Sequence, residues 1–548
     1  MSIPFADMDR DDDDGVGFVR ESHYLKSPTI AEQQAMRLLQ VPGMERQNAS
    51  ISSSMSDMDV PIYSSENLTT RPIREVRSGF NGRLAFAIAA AALGSSFQHG
   101  YNTGVLNNPQ KILEQWIAAT IQDRSGEAPS QDGVIMIFAL MVSIFCVGGM
   151  IGGAITGVVA EKFGRKGGLL LNNVLVLAAV ICMSSSKAAA SYELIILGRF
   201  LIGINSGLNA GLVPMYLAEI SPVNLRGAVG TVYQLVITIS ILIAQIVSLR
   251  SILGTPENWP TLLAITIIPA IFQIVTLPFC PESPKYLLLS KGRDLDAQKA
   301  LSWFRGTLAV HEEMDGMRAE YDAIKLVPRV TMRELITNNA LRIPLIISLT
   351  VMLAQQLSGI NAVMFFSSKI FKMAGLNDDN STYATLGMGG INVFMTIVSL
   401  VLVEKAGRKT LLLLGFAGMT VDTLLLTICM LFADQSRALG IICVILVLVY
   451  VIMFASGPGS IPWFLVSELF NQSARPTASS LAVCTNWTAN FLVGLAFLPL
   501  AEALGPYVFL IFVVLQALFT LFIYKKVPET KNKSLEEISA MFRQQSYQ

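Results

Sequence analysis

Twelve stretches of mostly apolar residues follow one another along this chain, separated by polar connections. An α-helix needs about 20 such residues to cross the hydrocarbon core of a bilayer, and each stretch is close to that length. Apolar residues run continuously instead of alternating, which favours helices over a β-barrel, because a helix satisfies its own backbone hydrogen bonds in lipid. The predicted fold class is therefore an all-α membrane protein, with transmembrane helices at 84–105, 134–159, 168–186, 194–217, 227–249, 259–279, 343–368, 383–403, 410–432, 439–464, 477–499 and 505–524.

The composition agrees with a membrane protein and argues against other classes. Of the 548 residues, 52% are hydrophobic and 15% are charged, and the mean hydropathy is +0.53. The net charge is zero, so no basic excess predicts a nucleic-acid partner. Three histidines (His23, His99 and His311) form no metal-binding or catalytic motif, and the sequence has no Walker A loop for ATP. We therefore expect that the protein is not an enzyme and binds no metal or cofactor. We expect it to lie in a lipid bilayer.

A charged motif occurs twice in the chain. Glu161-Lys162-Phe163-Gly164-Arg165-Lys166 is matched 243 positions later by Glu404-Lys405-Ala406-Gly407-Arg408-Lys409. Further matches at similar offsets are Glu219 with Glu468, Arg226 with Arg475, and Pro281-Glu282-Ser283 with Pro528-Glu529-Thr530. Two homologous halves of six helices each are predicted. In membrane proteins of this kind, the substrate site lies near the midplane between the halves, which is typical of a transporter.

Composition also divides the chain into segments. The first 80 residues have an acidic run at Asp11–Asp14 and no apolar periodicity, so they predict a disordered cytosolic tail. Basic residues cluster at one end of the spans, which places that end and both termini in the cytosol. The predicted domains are the tail (1–80), an N-terminal six-helix bundle (81–281), a cytosolic helical linker (282–339), a C-terminal six-helix bundle (340–526) and a cytosolic C-terminal tail (527–548).

Several longer strings of residues point to one family. They are Gly100-Tyr101-Asn102-Thr103-Gly104-Val105, Gly198-Arg199-Phe200, Pro214-Met215-Tyr216-Leu217-Ala218-Glu219, Gln355-Gln356-Leu357-Ser358-Gly359-Ile360-Asn361, Gly457-Pro458-Gly459-Ser460-Ile461-Pro462-Trp463-Phe464 and Pro528-Glu529-Thr530-Lys531. In this order and spacing, the chain resembles the sugar porters of the major facilitator superfamily, and specifically the animal facilitative glucose transporters. The resemblance covers nearly everything after the tail. It implies a multi-pass plasma-membrane uniporter that carries a small hexose, such as D-glucose, by alternating access.

Amides inside the spans are the candidate sugar contacts. Each hexose hydroxyl both donates and accepts hydrogen bonds, so amides, hydroxyls and an aromatic face suit it. Amides are costly in hydrocarbon, so they mark either a wet site or hydrogen bonds between helices. Gln245 and Asn486 are equally well explained as bonds between helices, and Trp487 as packing. The resemblance assigns hexose binding to Gln234, Gln355, Gln356, Asn361, Asn392, Trp463 and Asn490.

Two further features predict moving parts. Pro458 and Pro462 each remove a backbone donor, so the tenth helix must break or kink just before Trp463. The resemblance implies that this segment seals the site from the cytosol. It also implies ion-pair networks that hold the halves together at the cytosolic face when the cavity opens outward, in addition to anchoring the topology. Their residues are Glu161, Arg165, Glu219, Arg226, Glu404, Arg408, Glu468 and Arg475.

Alternatives to the uniporter stay open. Proton-coupled relatives carry an aspartate where this chain has Asn102, and a carboxamide cannot exchange a proton. His99 and Asp422 nevertheless lie within predicted spans, so a proton-coupled symporter is the second hypothesis. A third hypothesis is a non-transporting nutrient sensor that signals through its cytosolic tail.

Three departures from the family pattern leave the preferred hexose and the affinity open. Ala455 stands where many members have a glutamate, and Phe365 and Phe366 replace a pair of tyrosines. One further residue concerns modification. Asn380 begins a sequon in a predicted outer loop, where chance and glycosylation are equally good explanations.

Overall fold

The computed structural model describes residues 79–222, 225–471, 473–533 and 535–548. The predicted disordered tail lies outside these residues, except for its last two positions. The side chains of Arg226 and Glu404 lie outside the description as well. Every regular element in the described residues is helical, which agrees with the predicted fold class.

Twelve spans cross the molecule. Ten helical stretches are long and apolar enough to cross a membrane. One of them, Arg475–Lys526, contains two helices in succession, and the first span, whose second half Phe97–Gly104 is rich in polar residues, is not among the ten. The predicted number of spans is therefore confirmed among the described residues.

Spans 1 to 6 form the N half. Span 1 consists of α1 (Gly82–Ala91), a π-helical turn (Ala92–Ser96) and α2 (Phe97–Gly104), and α3 (Gln110–Ser125) follows it outside the span. The remaining spans are span 2, α4 (Gln131–Phe163); span 3, α5 (Arg165–Ser185); span 4, α6 (Tyr192–Ile220); span 5, α7 (Arg226–Val247); and span 6, α8 (Trp259–Ala264) with α9 (Ile267–Thr276) and a 3-10 turn (Leu277–Phe279).

Spans 7 to 12 form the C half. Two of them are broken: span 7 consists of α13 (Asn339–Leu357) and α14 (Ile360–Met373), and span 10 of α17 (Arg437–Ser456) and α18 (Ile461–Leu469). The others are span 8, α15 (Asp378–Ala406); span 9, α16 (Arg408–Leu431); span 11, α19 (Arg475–Leu504); and span 12, α20 (Val508–Lys526), with 3-10 turns at Ala433–Gln435 and Gly505–Tyr507.

Short helices occupy the linker and the C-terminal segment. The linker contains a π-helical turn (Tyr286–Ser290), α10 (Asp294–Arg305), α11 (His311–Lys325) and α12 (Met332–Thr337), as the helical linker prediction requires. The C-terminal segment was predicted only as a tail, but it forms α21 (Leu535–Ser546). Ile538 and Phe542 bury one face of α21 against the core, each at 2% exposure. The exact domain limits stay predictions.

Glycines allow the spans near the centre to approach closely. A Cβ atom on Gly148 of span 2 would lie 2.3 Å from the carbonyl oxygen of Phe200 in span 4, so the two backbones are in contact. A Cβ atom on the neighbouring Gly149 would lie 2.8 Å from the ring of Trp487 in span 11. Span 2 therefore contacts span 4 of its own half through Gly148 and span 11 of the C half through Gly149. It lies at the interface between the two halves.

Candidate functional site

The break in span 7 is the structural origin of the candidate site. Helix α13 ends at Leu357 and α14 begins at Ile360, with Ser358 and Gly359 between them. Gly359 has a φ of +97°, and a Cβ atom there would lie 3.1 Å from the ring of Phe512. A glycine is needed for both reasons, because side chains rarely adopt this backbone conformation and the space is filled. The break brings the end of α13 and the start of α14 to one place.

Four amides meet at this break. The Gln355 Oε1 accepts a hydrogen bond from Asn486 Nδ2 at 2.7 Å, and Gln356 Nε2 donates to Asn486 Oδ1 at 3.1 Å. Asn361 Nδ2 donates to Gln356 Oε1. Three of these residues are predicted sugar contacts from span 7, and the fourth comes from span 11. From the sequence, Asn486 is equally well explained as a bond between helices, and in the structure it joins spans 7 and 11 at the centre of this amide network.

The network also reaches the break in span 10. Gln355 Nε2 donates to the carbonyl oxygens of Pro458 at 3.0 Å and Gly459 at 2.8 Å. These carbonyls lie between α17 and α18, so the helix break predicted from the prolines is present. The amide satisfies acceptors that the broken helix cannot satisfy itself. Trp463 follows on α18, and 44% of its surface is exposed.

The other predicted sugar contacts lie apart from this network. Among the described contacts, no side-chain hydrogen bond joins Gln234, Asn392 or Asn490 to the four amides. Gln234 is exposed on α7. Asn392 and Asn490 are each 8% exposed, and the Asn490 Oδ1 has no hydrogen-bond partner in the described part of the chain. These three side chains therefore retain hydrogen-bonding capacity for a ligand.

Gln245 lies in span 5, away from both helix breaks. It is fully buried on α7, and neither its Oε1 nor its Nε2 has a hydrogen-bond partner among the described residues. A Cβ atom on Gly389 of span 8 would lie 2.1 Å from the Gln245 Oε1, so this side chain fills the contact between spans 5 and 8. In the described residues, the Gln245 side chain therefore packs between spans 5 and 8 without forming a hydrogen bond between them.

An aromatic cluster lies between the halves, where side chains of spans 1, 2 and 5 meet Trp487 of span 11. His99 Nδ1 lies 2.7 Å from the Tyr233 hydroxyl, and the His99 ring stacks on Trp487 with the ring centres 6.0 Å apart. Phe145 approaches the same tryptophan edge-on at 6.2 Å. Trp487, which the sequence suggested was only packing, therefore packs across the interface of the two halves.

A second buried amide network was missed from the sequence. In the N half, Gln98 Nε2 donates to Asn173 Oδ1 at 3.0 Å, and Asn173 Nδ2 donates to Gln273 Oε1 at 2.9 Å. Asn205 Nδ2 donates to Gln98 Oε1 at 3.1 Å, and Asn172 Nδ2 donates to Asn209 Oδ1 at 2.8 Å. The available signal was the density of amides in stretches 1, 3, 4 and 6. Their mutual hydrogen bonds make this network a structural core.

At the basic end of the spans, here called the basic face, the repeated motif forms the same arrangement twice. Arg165 pairs with Glu219 at 2.9 Å, and Arg408 pairs with Glu468 at 3.0 Å. The Ser283 hydroxyl donates to Glu219 at 2.5 Å, and the Thr530 hydroxyl donates to Glu468 in the same way.

Other predicted gating residues make weaker contacts at this face. Glu161 lies 4.0 Å from Arg165, and Arg475 Nη2 donates to the Phe470 carbonyl at 3.2 Å. Both strong ion pairs join residues of one half. The prediction that these networks hold the two halves together is not tested by the side chains that the structure describes, and it stays a prediction.

The opposite end of the spans, here called the outer face, joins the halves directly. Asp378 at the start of span 8 binds Lys111 at 3.4 Å and Arg250 at 3.2 Å, both from the N half. Asn107, just after span 1, donates to the Met364 carbonyl at 3.1 Å and accepts from the Ser368 amide at 3.1 Å. The halves are therefore closed against each other at the outer face.

Phenylalanines complete this closure where the family pattern has tyrosines. Phe365 and Phe366 are 2% and 0% exposed. Phe366 stacks on Phe497 at 5.7 Å and contacts Phe138 of the N half at 6.4 Å between ring centres. The missing hydroxyls leave an apolar ring cluster that spans both halves. Ala455, at 7% exposure, is likewise buried.

Comparisons with known proteins agree with this architecture. The model of a family described as "Sugar (and other) transporter" matches residues 87–542. The chain is 46% identical over 464 residues to mouse facilitated glucose transporter member 3 of solute carrier family 2, covering 85% of this chain and 94% of that protein. It is 45% identical to mouse member 4, covering 85% and 92%.

Solved structures give the same result. The inward-open xylose transporter XylE from E. coli aligns with a TM-score of 0.70 and 26% identity, covering 84% of this chain and 99% of that one. The XylE proton:xylose symporter bound to 6-bromo-6-deoxy-D-glucose aligns with a TM-score of 0.67 at 26% identity, with the same coverage.

Proposed function

The chain belongs to the sugar transporter family, and from this premise we propose that it is a facilitative uniporter for D-glucose and related hexoses. It is a multi-pass membrane transporter and not an enzyme. The relatives at 45–46% identity are named facilitated glucose transporters, which supports glucose as the substrate. In this proposal it lies in the plasma membrane with both termini and the basic face in the cytosol.

The amide network at the breaks of spans 7 and 10 is the observation that carries the proposal. It is a neutral, hydrogen-bonding site without a charged group, as a hexose requires. In the proposed site, Gln355, Gln356 and Asn361 present amides from span 7, with Gln234, Asn392 and Asn490 around them. Trp463 provides an aromatic face, and 44% of its surface is available. Asn486, between Gln355 and Gln356, orients them.

The two faces support alternating access. The halves are joined by hydrogen bonds and ion pairs at the outer face, as in a state that opens to the other side. At the basic face the strong ion pairs stay within each half. We propose that the eight charged residues of the repeated motif join the halves only when the cavity opens outward, so that opening at one face accompanies closure at the other.

The surroundings of Asn102 support transport without proton coupling. Its Nδ2 donates to the Gln98 carbonyl at 2.7 Å and to the Thr266 hydroxyl at 3.0 Å. Arg199, which is buried at 1% exposure, donates to the Asn102 backbone carbonyl at 2.5 Å. Next to the buried Arg199 cation, the chain therefore has the carboxamide of Asn102, which carries no acidic proton to exchange.

A proton-coupled symporter is the second candidate, and one observation favours it. Asp422 in span 9 is 4% exposed, and neither carboxylate oxygen has a hydrogen-bond partner among the described residues. A buried carboxylate without a partner is costly in its charged form, so this residue is the first candidate for a proton carrier.

Uptake into proteoliposomes tests these proposals. The full-length protein is reconstituted, and labelled D-glucose uptake is measured with and without an inward proton gradient, with L-glucose as the control. Stereoselective uptake that stops at equilibrium under both conditions supports the uniporter. Accumulation above equilibrium that is lost in Asp422→Asn supports the symporter. Absence of uptake for D-glucose, D-galactose and D-fructose would contradict both and favour a sensor.

A further inference from the structure

Exposed apolar residues cluster in one segment outside the spans. Between the end of α11 and the end of α12, Leu326 is 85% exposed, Ile336 50% and Val327 47%. Ile324 at 44% and Met332 at 42% extend the same surface. Residues 324–336 are here called the boundary segment. Exposed apolar residues inside a span face lipid, but those of the boundary segment lie beyond the spans and need another explanation.

Backbone contacts fix the boundary segment at the ends of two spans. The Val330 amide donates to the Ser473 carbonyl at 3.1 Å, and the Thr477 hydroxyl donates to the Val330 carbonyl at 3.1 Å. Ser473 lies two residues before span 11, and Thr477 lies in the first turn of span 11. One residue after α12, Asn338 caps span 7 by accepting from the Ala340 amide at 3.0 Å. The boundary segment therefore lies where the hydrophobic spans meet the basic face.

The charge of the boundary segment is positive. Lys325, Arg329 and Arg333 are all exposed, whereas Glu334 is its only acidic residue. No ion pair among the described residues involves Arg329 or Arg333. Lys325 lies over the ring of Tyr321 at 5.2 Å, and no ion pair among the described residues joins it to a carboxylate. Basic and apolar side chains are thus interspersed along an exposed surface beside the ends of spans 7 and 11.

We propose that the boundary segment binds the anionic headgroup surface of the bilayer in which the protein itself lies. Leu326 and Val327 enter the boundary between headgroups and acyl chains, while Lys325, Arg329 and Arg333 contact lipid phosphates and carboxylates. Because Val330 is hydrogen-bonded to the start of span 11, this contact joins the linker between the halves to the membrane. It adds a lipid-recognition surface to the transporter and is independent of which sugar is carried.

Fluorescence quenching tests the position of the segment. The full-length Leu326→Trp variant is reconstituted with lipids brominated on their acyl chains, and the quenching added to that of the parent protein is measured. The matched control is Leu295→Trp on α10, where the side chain is 64% exposed but flanked by Asp294 and Asp296. We expect at least about twofold more quenching at position 326 than at position 295.

The charge requirement is tested in the same preparation. Quenching of Leu326→Trp is compared between vesicles of phosphatidylcholine alone and vesicles that also contain phosphatidylserine, with and without Arg329→Gln and Arg333→Gln. We expect phosphatidylserine to increase the quenching, and the two glutamines to abolish that increase. Equal quenching at positions 326 and 295, or quenching indifferent to phosphatidylserine, would overturn the proposal. Parental D-glucose uptake by each variant, or parental thermal unfolding if uptake is absent, shows that it is folded.

Discussion

Gln355 uses both of its amide hydrogens within the protein, on the carbonyls of Pro458 and Gly459. Its oxygen accepts from Asn486. Asn361 is half-buried and donates one bond within the same network. The two residues therefore differ in role at the proposed site. Gln355 joins the break of span 7 to the break of span 10. Asn361 has more donor and acceptor positions available for a sugar hydroxyl.

The first prediction follows from this difference. Gln355→Leu keeps the volume but leaves the two carbonyls and the Asn486 amide without their partner, at about 1–3 kcal/mol for a buried group. We expect D-glucose uptake to fall about tenfold or more, mainly through the maximal rate, while Asn361→Ala mainly raises KM. Uptake at varied D-glucose concentration measures both.

A matched control for this substitution is Gln435→Leu, which changes an exposed glutamine in the turn between spans 9 and 10. It should leave uptake unchanged. If Gln355→Leu were as active as Gln435→Leu, the amide network would have no part in transport.

At the same scale, the sequence predicted some residues better than others. Gln355, Gln356 and Asn361 were identifiable because they lie close together in one stretch beside Ser358-Gly359. Asn486 was not, because its partners come from a different span, and nothing in a single sequence gives the rotation of one helix against another. The Gln98 and Asn173 contact was missed for the same physical reason.

At the scale of elements, the break in span 7 gives the second prediction. Gly359→Ala places a Cβ atom 3.1 Å from the Phe512 ring at a φ of +97°. The strain should lower the free energy of unfolding by about 1–3 kcal/mol and reduce uptake. Gly387→Ala is the control, because nothing lies within 4 Å of its Cβ position in helix α15. It should raise the midpoint of thermal unfolding, whereas a higher midpoint in Gly359→Ala would contradict this account.

The third prediction concerns the starts of spans 3 and 9. Glu282 accepts from the amides of Arg165 at 3.1 Å and Lys166 at 2.9 Å, and Glu529 accepts from those of Arg408 at 2.9 Å and Lys409 at 3.1 Å. Each carboxylate caps a helix N-terminus, where an anion is favoured.

Glu529→Ala should cost about 1 kcal/mol of stability, as the loss of a helix cap typically does. Glu529→Gln retains an acceptor and should cost less. Because the two caps belong to different halves, Glu282→Ala combined with Glu529→Ala should give the sum of the single effects. Thermal unfolding of the three variants and the double variant measures this, and a more stable Glu529→Ala would exclude the capping role.

At the scale of the whole molecule, closure at the outer face gives the fourth prediction. Asp378 holds Lys111 and Arg250 of the other half, and it also binds Lys372 of its own half at 3.2 Å. Exposed ion pairs contribute about 0.2–1 kcal/mol each, so the loss of the two pairs between the halves in Asp378→Asn should favour outward opening about two- to thirtyfold.

This shift is measured with a cysteine at Ser368, which binds Asn107 and Asn108 across the closed interface. Its reaction with a membrane-impermeant maleimide should be faster in Asp378→Asn. The neighbouring Asp379→Asn serves as the control, because Asp379 is exposed and belongs to none of these ion pairs. Equal rates in both variants would show that Asp378 does not hold the outer face closed.

The overall architecture was predictable because length and hydropathy alone define a membrane span, and the repeated motif defines two halves. The conformation was not predictable in the same way. Asp378 and Lys111 lie 267 residues apart, and their contact is part of the closure at the outer face. A sequence encodes all states of a transporter together, so it does not indicate which contacts coexist.

The Gln273 amide has a consequence for biosynthesis. From span 6 it donates to the Ala90 and Ala91 carbonyls and to the Ser95 hydroxyl at the π-helical turn of span 1. Span 1 is synthesised first, so these groups lack this partner until 178–183 further residues have been added to the chain. This contact forms only after span 6 has been synthesised, so the N half reaches its full set of hydrogen bonds only when all six of its helices are present.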